Sequence, residues 1–371
     1  MYDIINSMYN SVKSRVKTQG ELSDEFDCLI GVRQGECLSP FLFSLFLNDL
    51  EQSLVDGNFT GLELYYFKLL SLLYADDVAL FSDSRDGLQS GLDVLYDYCT
   101  RWKLTVNAEK TKVVVFRRGG RLAMDDHFFY GDTYIEVIQS CSFPGILFSS
   151  TGKFTQAQKD LADKAKRALF KLFKDTFELY DPEPDFMCSV FDKLIMPILM
   201  YCSEVWGFCT APDIEKVHLY FCKRILRLKR STASYFVYGE LGRYPLYVYR
   251  LLRIIKYWLK LVMIKVNPLV HSMYLELYRQ IHPVNLNNWA SMVKKMLSEL
   301  GFGHVWLQQG VGNLNGFMRM CKQRVFDQFV ARWNSQLNES SDALLYREVK
   351  TVFEYSSYLR DILVPRYRYA L

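Results

Sequence analysis

The stretch Leu69-Leu70-Ser71-Leu72-Leu73-Tyr74-Ala75-Asp76-Asp77-Val78-Ala79-Leu80-Phe81 sets two apolar runs of strand length around a short polar centre. Such runs, separated by a few polar residues, predict a tight hairpin or a sharp strand bend. The centre carries two adjacent carboxylates, Asp76 and Asp77, with no Lys or Arg close to them in sequence. Like charges at that spacing repel, and burying them without partners is expensive. Asp is a good turn residue, so the pair fits a solvated turn. It fits a divalent-metal site as well. Hard cations such as Mg2+ take oxygen ligands, and a pair of metals can clamp both oxygens of a phosphoryl transfer.

Working upstream, Phe26 to Val32 reads as a short strand that leads into Gly31-Val32-Arg33-Gln34-Gly35-Glu36-Cys37-Leu38-Ser39-Pro40. Ser39 is placed as a helix N-cap with Pro40 at the first helical position. That helix is expected to run to about Leu54, with Phe43, Phe46, Leu47, Leu50 and Leu54 as its core stripe. Phe41, Leu42 and Leu45 are apolar too, which predicts burial on most sides. In the loop before it, Gly31 and Gly35 let backbone approach a ligand, and Arg33 and Gln34 offer donors for phosphates and base edges. The plainer reading is a polar loop before a core helix. Met1 to Lys17, with Ile4, Ile5, Met8, Tyr9, Val12 and Val16 at helical spacing, predicts an amphipathic helix.

Downstream of the carboxylates, Leu88, Leu92, Leu95, Cys99 and Trp102 fall on one face of a helix. A turn over Leu104 to Lys112 and a buried strand from Val113 to Phe116 follow. The order strand, helix, hairpin, helix, strand predicts an α+β layer: an antiparallel sheet with helices on one face. Lys110 and Lys112 approach such a sheet from the turn, or are solvated there like most lysines.

Half of the 371 residues are hydrophobic and aromatics are abundant, which excludes global disorder. The nine cysteines are scattered without a C-x-x-C pair. That pattern predicts reduced thiols and an intracellular location, nuclear or cytoplasmic. No apolar run approaches the ~18 residues of a membrane span, so no membrane partner is expected. Charge is uneven: Lys216 to Lys260 holds eleven Lys and Arg against Glu240 alone, and the remainder is net acidic.

Thr155 to Phe177 predicts a helix with Leu161, Ala165, Ala168, Leu169 and Leu172 inward and lysines outward, either a solvated face or one that tracks a nucleic-acid backbone. Asp181-Pro182-Glu183-Pro184-Asp185 marks a domain boundary. Beyond it the chain reads as all-helical. Phe186 to Tyr201 carries Val190, Phe191, Leu194 and Ile198; Asp213 to Leu228 carries Ile214, Val217, Phe221 and Ile225. On Pro245 to Val266, Arg250, Arg253, Lys256 and Lys260 share roughly one face. With Lys223, Arg224, Arg227, Lys229 and Arg230, and with Tyr220, Tyr257 and Trp258 interleaved, they form either a backbone-binding surface or a solvated basic face. Cys202, Cys209, His218 and Cys222 lack the close pair of a zinc site.

Gly-Val-Arg-Gln-Gly-x-x-Leu-Ser-Pro (Gly31 to Pro40), Tyr-Ala-Asp-Asp (Tyr74 to Asp77) and Asn-x-x-Lys-Thr-Lys (Asn107 to Lys112) stand in order across about eighty residues. Together they resemble the reverse transcriptases of non-LTR (LINE-like) retrotransposons of the jockey and CR1 kind. Segments after the thumb of such elements look like Glu204 to Gly207 and Tyr238 to Arg243. The resemblance implies a partial polymerase palm over residues 1–118, a primer-grip region and thumb over 119–180, and a helical C-terminal domain over 181–371. It implies RNA-directed DNA polymerase chemistry: attack of a primer 3′ hydroxyl on the α-phosphate of a deoxynucleotide, with Mg2+ or Mn2+ on Asp76 and Asp77. Arg33, Gln34, Gly35, Tyr74 and Asn107 would bind template and nucleotide, and Lys110 would assist the leaving pyrophosphate. Lys223, Arg224, Arg227, Arg250, Arg253 and Lys256 would hold nucleic-acid backbone. The expected partners are an RNA template, a DNA primer and deoxynucleotides, together with the missing upstream part of the polymerase. The family also uses an aspartate in a Phe-x-Asp-Phe-x-Lys-Ala-Phe-Asp type stretch, expected upstream of Met1 with the fingers; Asp24 and Asp27 stand in the wrong place to replace it. An inactive chain is therefore expected, with a non-catalytic nucleic-acid-binding remnant as the alternative. Phe143-Pro144-Gly145-Ile146 stands where the primer-grip turn has Tyr-Leu-Gly, and Pro144 removes a backbone donor there.

Overall fold

A computed structural model describes residues 2–28, 31–117, 119, 127–177, 182–208, 210–264, 267–281 and 287–361. In it Ser71–Tyr74 and Asp77–Leu80 pair antiparallel with Tyr74 opposite Asp77, so the expected hairpin forms with a two-residue turn at Ala75 and Asp76. The chain is α+β, and two compact units divide it: Met1–Val113 with Ala123–Val137, and Val114–Leu122 with Ile138–Leu371.

In the first unit the Arg85–Arg101 helix is the organising element. Ser84 caps it by accepting from the Gly87 amide at 3.2 Å. Its inner face, Leu92, Leu95, Tyr98 and Cys99, is buried, as are Leu47, Leu50, Leu54 and Phe59. Gly91 permits the close approach of Phe59, because a Cβ there would lie 2.6 Å from the ring. Leu69 and Leu70, at the foot of the hairpin, are buried, and the Phe81 amide donates to the Leu70 carbonyl at 3.0 Å. The carboxylate-bearing turn thus projects from a hairpin whose base is fixed in the core.

Several expectations for this unit are corrected. The single antiparallel sheet is instead a set of separate two-stranded antiparallel ladders among the described residues. Val113 to Phe116 is not a strand: Val113 makes one parallel bridge to Val137, and Phe116 is exposed. The segment leaves the first unit's hydrogen bonding after that bridge, and the Arg117 amide next donates to Ser150 in the second unit. The first helix covers only Tyr2–Tyr9. The remaining stretch folds back, with Lys13–Ser14 on Phe26–Asp27 and Lys17–Thr18 on Glu21–Leu22. Gln19 and Gly20 both have positive φ at the tip, a turn that suits a hairpin and stops a helix. The Phe26 to Val32 strand shortens to Phe26–Asp27, with residues 29–30 outside the described ones.

The helix expected from Ser39 to Leu54 is two, Ser39–Phe46 and Leu50–Asp56. Between them Asp49 accepts from the Tyr98 hydroxyl at 2.6 Å, a long-range bond that fixes the break. Ser39 is not the N-cap; it lies inside the helix and its hydroxyl donates to the Arg33 carbonyl at 2.5 Å. Nor is the first helix buried on most sides, since Phe41, Leu45 and Phe46 are exposed.

Among the described residues, the second unit is helical apart from the Ser140–Ser142 and Leu147–Ser149 hairpin. Pro144 and Gly145 form its turn, with Gly145 at φ +84, and the Pro144 carbonyl accepts from the Tyr201 hydroxyl at 2.9 Å. Pro followed by a positive-φ Gly is a type II turn pattern, so Pro144 removes no ladder bond. The Thr155–Phe177 helix has its expected bounds. One core runs from Ile146 to Leu246 and draws on both sides of residues 181–185. A second gathers Trp258, Trp306, Phe317 and Trp333 with residues 248 to 343. The Phe186 to Tyr201 helix ends at Leu194 and resumes as Met196–Leu199. Its buried stripe is Met187, Phe191, Ile195 and Leu199, whereas Leu194 is exposed.

Candidate active site

Asp76 lies in the hairpin turn and Asp77 opens the second strand. Ala75 takes φ +53, a left-handed conformation that makes the sharp two-residue turn on which Asp76 lies. Both are exposed, and neither carboxylate has a hydrogen-bond or ion-pair partner among the described residues. Ionised carboxylates are acceptor-only, so the tip offers hard oxygen donors with no internal cation to compete for them. Tyr74 is exposed beside them. No group of three or more His, Cys, Asp or Glu side chains suited to a metal gathers among the described residues.

The Arg33 loop is braced differently from what its sequence predicts. Arg33 donates to Glu36 at 2.9 Å and to the Met8 carbonyl at 2.9 Å, and its guanidinium lies 5.8 Å from the Tyr9 ring centre. Arg33 thus anchors the loop, and Gln34 is left exposed as its outward donor. Gly35 has φ +90, which an L side chain rarely adopts. Asn107 acts on the backbone: its Oδ1 accepts from the Lys110 amide at 3.0 Å, while its carbonyl accepts from the Thr111 hydroxyl at 2.9 Å. This turn presents Lys110, whose ammonium has no partner among the described residues, whereas Lys112 pairs with Glu136 at 2.8 Å. No hydrogen bond or ion pair among the described residues joins the Asp76-Asp77 tip to Gln34 or Lys110. Each motif is held by its own set of bonds, local at Asn107 and reaching back to Met8 at Arg33.

The basic surface of the second unit is smaller than its sequence predicts. Arg250 is 1 % exposed and pairs with Glu215 at 2.8 Å, and Trp258 is buried against Trp306. Neither faces solvent. Arg253 pairs with Glu204 at 3.0 Å. Lys223 directs its ammonium to the Arg230 carbonyl at 2.6 Å, and burial lowers its pKa. Arg224, Arg227 and Lys256 are exposed.

A reverse transcriptase (RNA-dependent DNA polymerase) family profile matches residues 1–154, the span that holds the Gln34 loop, the paired aspartates and the Asn107 turn. Over those residues the chain is similar to the reverse transcriptases. Its curated relatives are polymerases of non-LTR retrotransposons, at low identity. It is 24 % identical over 251 residues to the RNA-directed DNA polymerase from mobile element jockey of Drosophila funebris, covering 62 % of this chain and 25 % of that one. It is 25 % identical over 245 residues to the Pol polyprotein of a type-2 retrotransposable element of Drosophila melanogaster, covering 64 % and 22 %. The chain therefore spans about a quarter of the length of those relatives.

Of the residues weighed for zinc, Cys209 lies outside the described ones, and His218 and Cys222 are buried. His218 Nε2 accepts from Arg243 Nε at 2.7 Å, and Arg243 in turn grips Asp192 with both terminal nitrogens. Burial, then the Arg243 charge, holds the His218 pKa well below the ordinary histidine range. A depressed histidine contributes stability that is full above the unfolded value, near pH 6.5, and is lost as pH falls below it. The unfolding free energy is expected to fall by about 1.4 kcal/mol per pH unit there. Urea titrations between pH 7.5 and 5 check this, and His218→Gln should flatten the slope.

Proposed function

We propose that this chain is part of an RNA-directed DNA polymerase whose metal-binding pair is Asp76 and Asp77. The observation that carries the reading is the exposed, unpartnered carboxylate pair at a hairpin tip, inside the span matched by the reverse transcriptase family. Its donors fit Mg2+ or Mn2+, which when bound there would neutralise and orient the oxygens of a nucleotidyl transfer. The residues have separate tasks. Asp76 and Asp77 hold the cation, Gln34 and Gly35 border template and deoxynucleotide, and Lys110, presented by Asn107, faces the triphosphate. Arg33 keeps the Gln34 loop in place, and Tyr74 flanks the nucleotide.

In this reading residues 1–118 are palm, 119–180 primer grip and thumb, and 181–371 a helical domain, and the substrates are an RNA template, a DNA primer and deoxynucleotides. The jockey relative is described as an RNA-directed DNA polymerase, which supports that substrate class. A second reading, a nucleic-acid-binding chain without catalysis, is favoured by the missing third carboxylate among the described residues. Primer extension on an RNA template with Mg2+ or Mn2+, against an EDTA control, separates the two. Metal-dependent extension supports the polymerase. Salt-sensitive template–primer binding without extension supports the binding chain, and neither extension nor binding sinks both.

A further inference from the structure

The Thr155–Phe177 helix packs on the Pro212–Ile225 helix, with Phe173 stacked on Phe221 at 6.2 Å between ring centres. Three residues before Phe173, Phe170 departs from that core. Its ring meets Tyr220 edge-on at 6.0 Å and 74°, yet the residue is 55 % exposed. The Tyr220 contact fixes one edge of the ring and leaves much of the rest to water.

The surroundings of this ring are cationic. On its own helix Arg167 lies three residues before it and Lys174 four after it, one turn to either side. On the facing helix Arg224 lies four residues after Tyr220. All three are exposed and none makes an ion pair among the described residues. Cations already paired inside a protein release no counterions when a polyanion arrives; these three would. The same turn of the Thr155–Phe177 helix carries Lys166, which is engaged by Asp163 at 3.0 Å and so is set apart from them.

We propose that the seam between these two helices binds single-stranded nucleic acid, with Phe170 stacking on a base and Arg167, Lys174 and Arg224 neutralising the flanking phosphates. The exposed ring selects the strandedness. Bases in a duplex stack on each other and present no free face, whereas an unpaired base gains a stacking partner here. The inference rests on the nucleic-acid-handling reading above, but it does not use the Asp76-Asp77 site.

The test is fluorescence anisotropy of a labelled 15-nucleotide oligouridine with the whole chain in EDTA. Phe170→Ala should weaken binding by between about 5- and 150-fold. Phe170→Leu, which keeps apolar bulk without a π face, should lose nearly as much, and Phe170→Trp should restore it. Arg224→Glu should make the log–log salt slope shallower by about 0.7 for each phosphate left without its cation. A duplex of equal length should bind Phe170→Ala and wild type alike. Unchanged oligouridine binding by Phe170→Ala or Phe170→Leu, or an equal loss on the duplex, overturns the stacking site and leaves the broader reading standing. No binding of either nucleic acid by the wild type overturns both. Melting temperatures of the variants separate any of these from unfolding.

Discussion

Glu215→Ala should destabilise the second unit by about 3–5 kcal/mol, a large share of the 5–15 kcal/mol typical of a folded domain. One carboxylate serves two buried groups. Its Oε1 accepts from Arg250 at 2.8 Å, and its Oε2 accepts at 3.0 Å from the Leu246 amide, which opens the Leu246–Leu259 helix. That helix has no side-chain cap of its own, because Pro245 stands at the N-cap, so Glu215 supplies the missing acceptor from another helix. Arg250 is closed in on the other sides. Its guanidinium lies 5.8 Å from the Trp206 ring centre, its Nε points to the Gly207 carbonyl at 3.4 Å, and Gly207 has no side chain to hold it off.

Removing the carboxylate leaves a desolvated cation without its counter-charge and a helix start without its acceptor. Burial raises the Glu215 pKa even with Arg250 beside it, which shows how strongly this site penalises charge. The pair therefore contributes specificity more than net stability. Urea unfolding of a double-mutant cycle checks this: Glu215→Leu with Arg250→Met should recover much of what Glu215→Ala loses. A single-variant loss below about 1 kcal/mol would mean that the pair is effectively solvated.

The same residues show where sequence reading stopped. Arg250 sits on a helix with apolar residues nearly all round, so its spacing with Arg253 and Lys256 could not reveal that it faces inward. Its partner lies 35 residues away in the chain. The break after Phe46 has the same origin, because the Tyr98 hydroxyl that holds Asp49 is 49 positions distant. What was legible is local. The two apolar runs flanking Asp76 and Asp77 predict the hairpin, and a long amphipathic period predicts the Thr155–Phe177 helix. Phe170 carries no signal in the sequence, because an aromatic inside an amphipathic helix ordinarily packs in the core, and only its exposure marks it otherwise. Periodicity reports which residues share a face, while the faces that meet are chosen by long-range bonds.

If the polymerase reading holds and the chain extends a primer, Asp76→Asn should lower that metal-dependent extension by on the order of 10³-fold, because a bound cation supplies several kcal/mol of charge stabilisation and each 1.36 kcal/mol is tenfold. The fold should not register the change. Asp76 occupies an exposed turn position and its carboxylate holds no bond to the described residues, so the unfolding free energy should stay within about 0.5 kcal/mol of wild type. Asp77 differs in one respect: it opens a strand and pairs with Tyr74 in the ladder. Its backbone bonds survive substitution, so Asp77→Asn should also preserve the hairpin while it replaces the second anionic ligand with a neutral amide. A readout independent of turnover is Mn2+ binding followed by electron paramagnetic resonance. Wild type should quench the free-ion signal at concentrations where either variant does not. Equal quenching by all three proteins would place the cation elsewhere and return the Asp76-Asp77 tip to an ordinary solvated turn, since two unpaired carboxylates at a hairpin end have no other reason in this structure to act together.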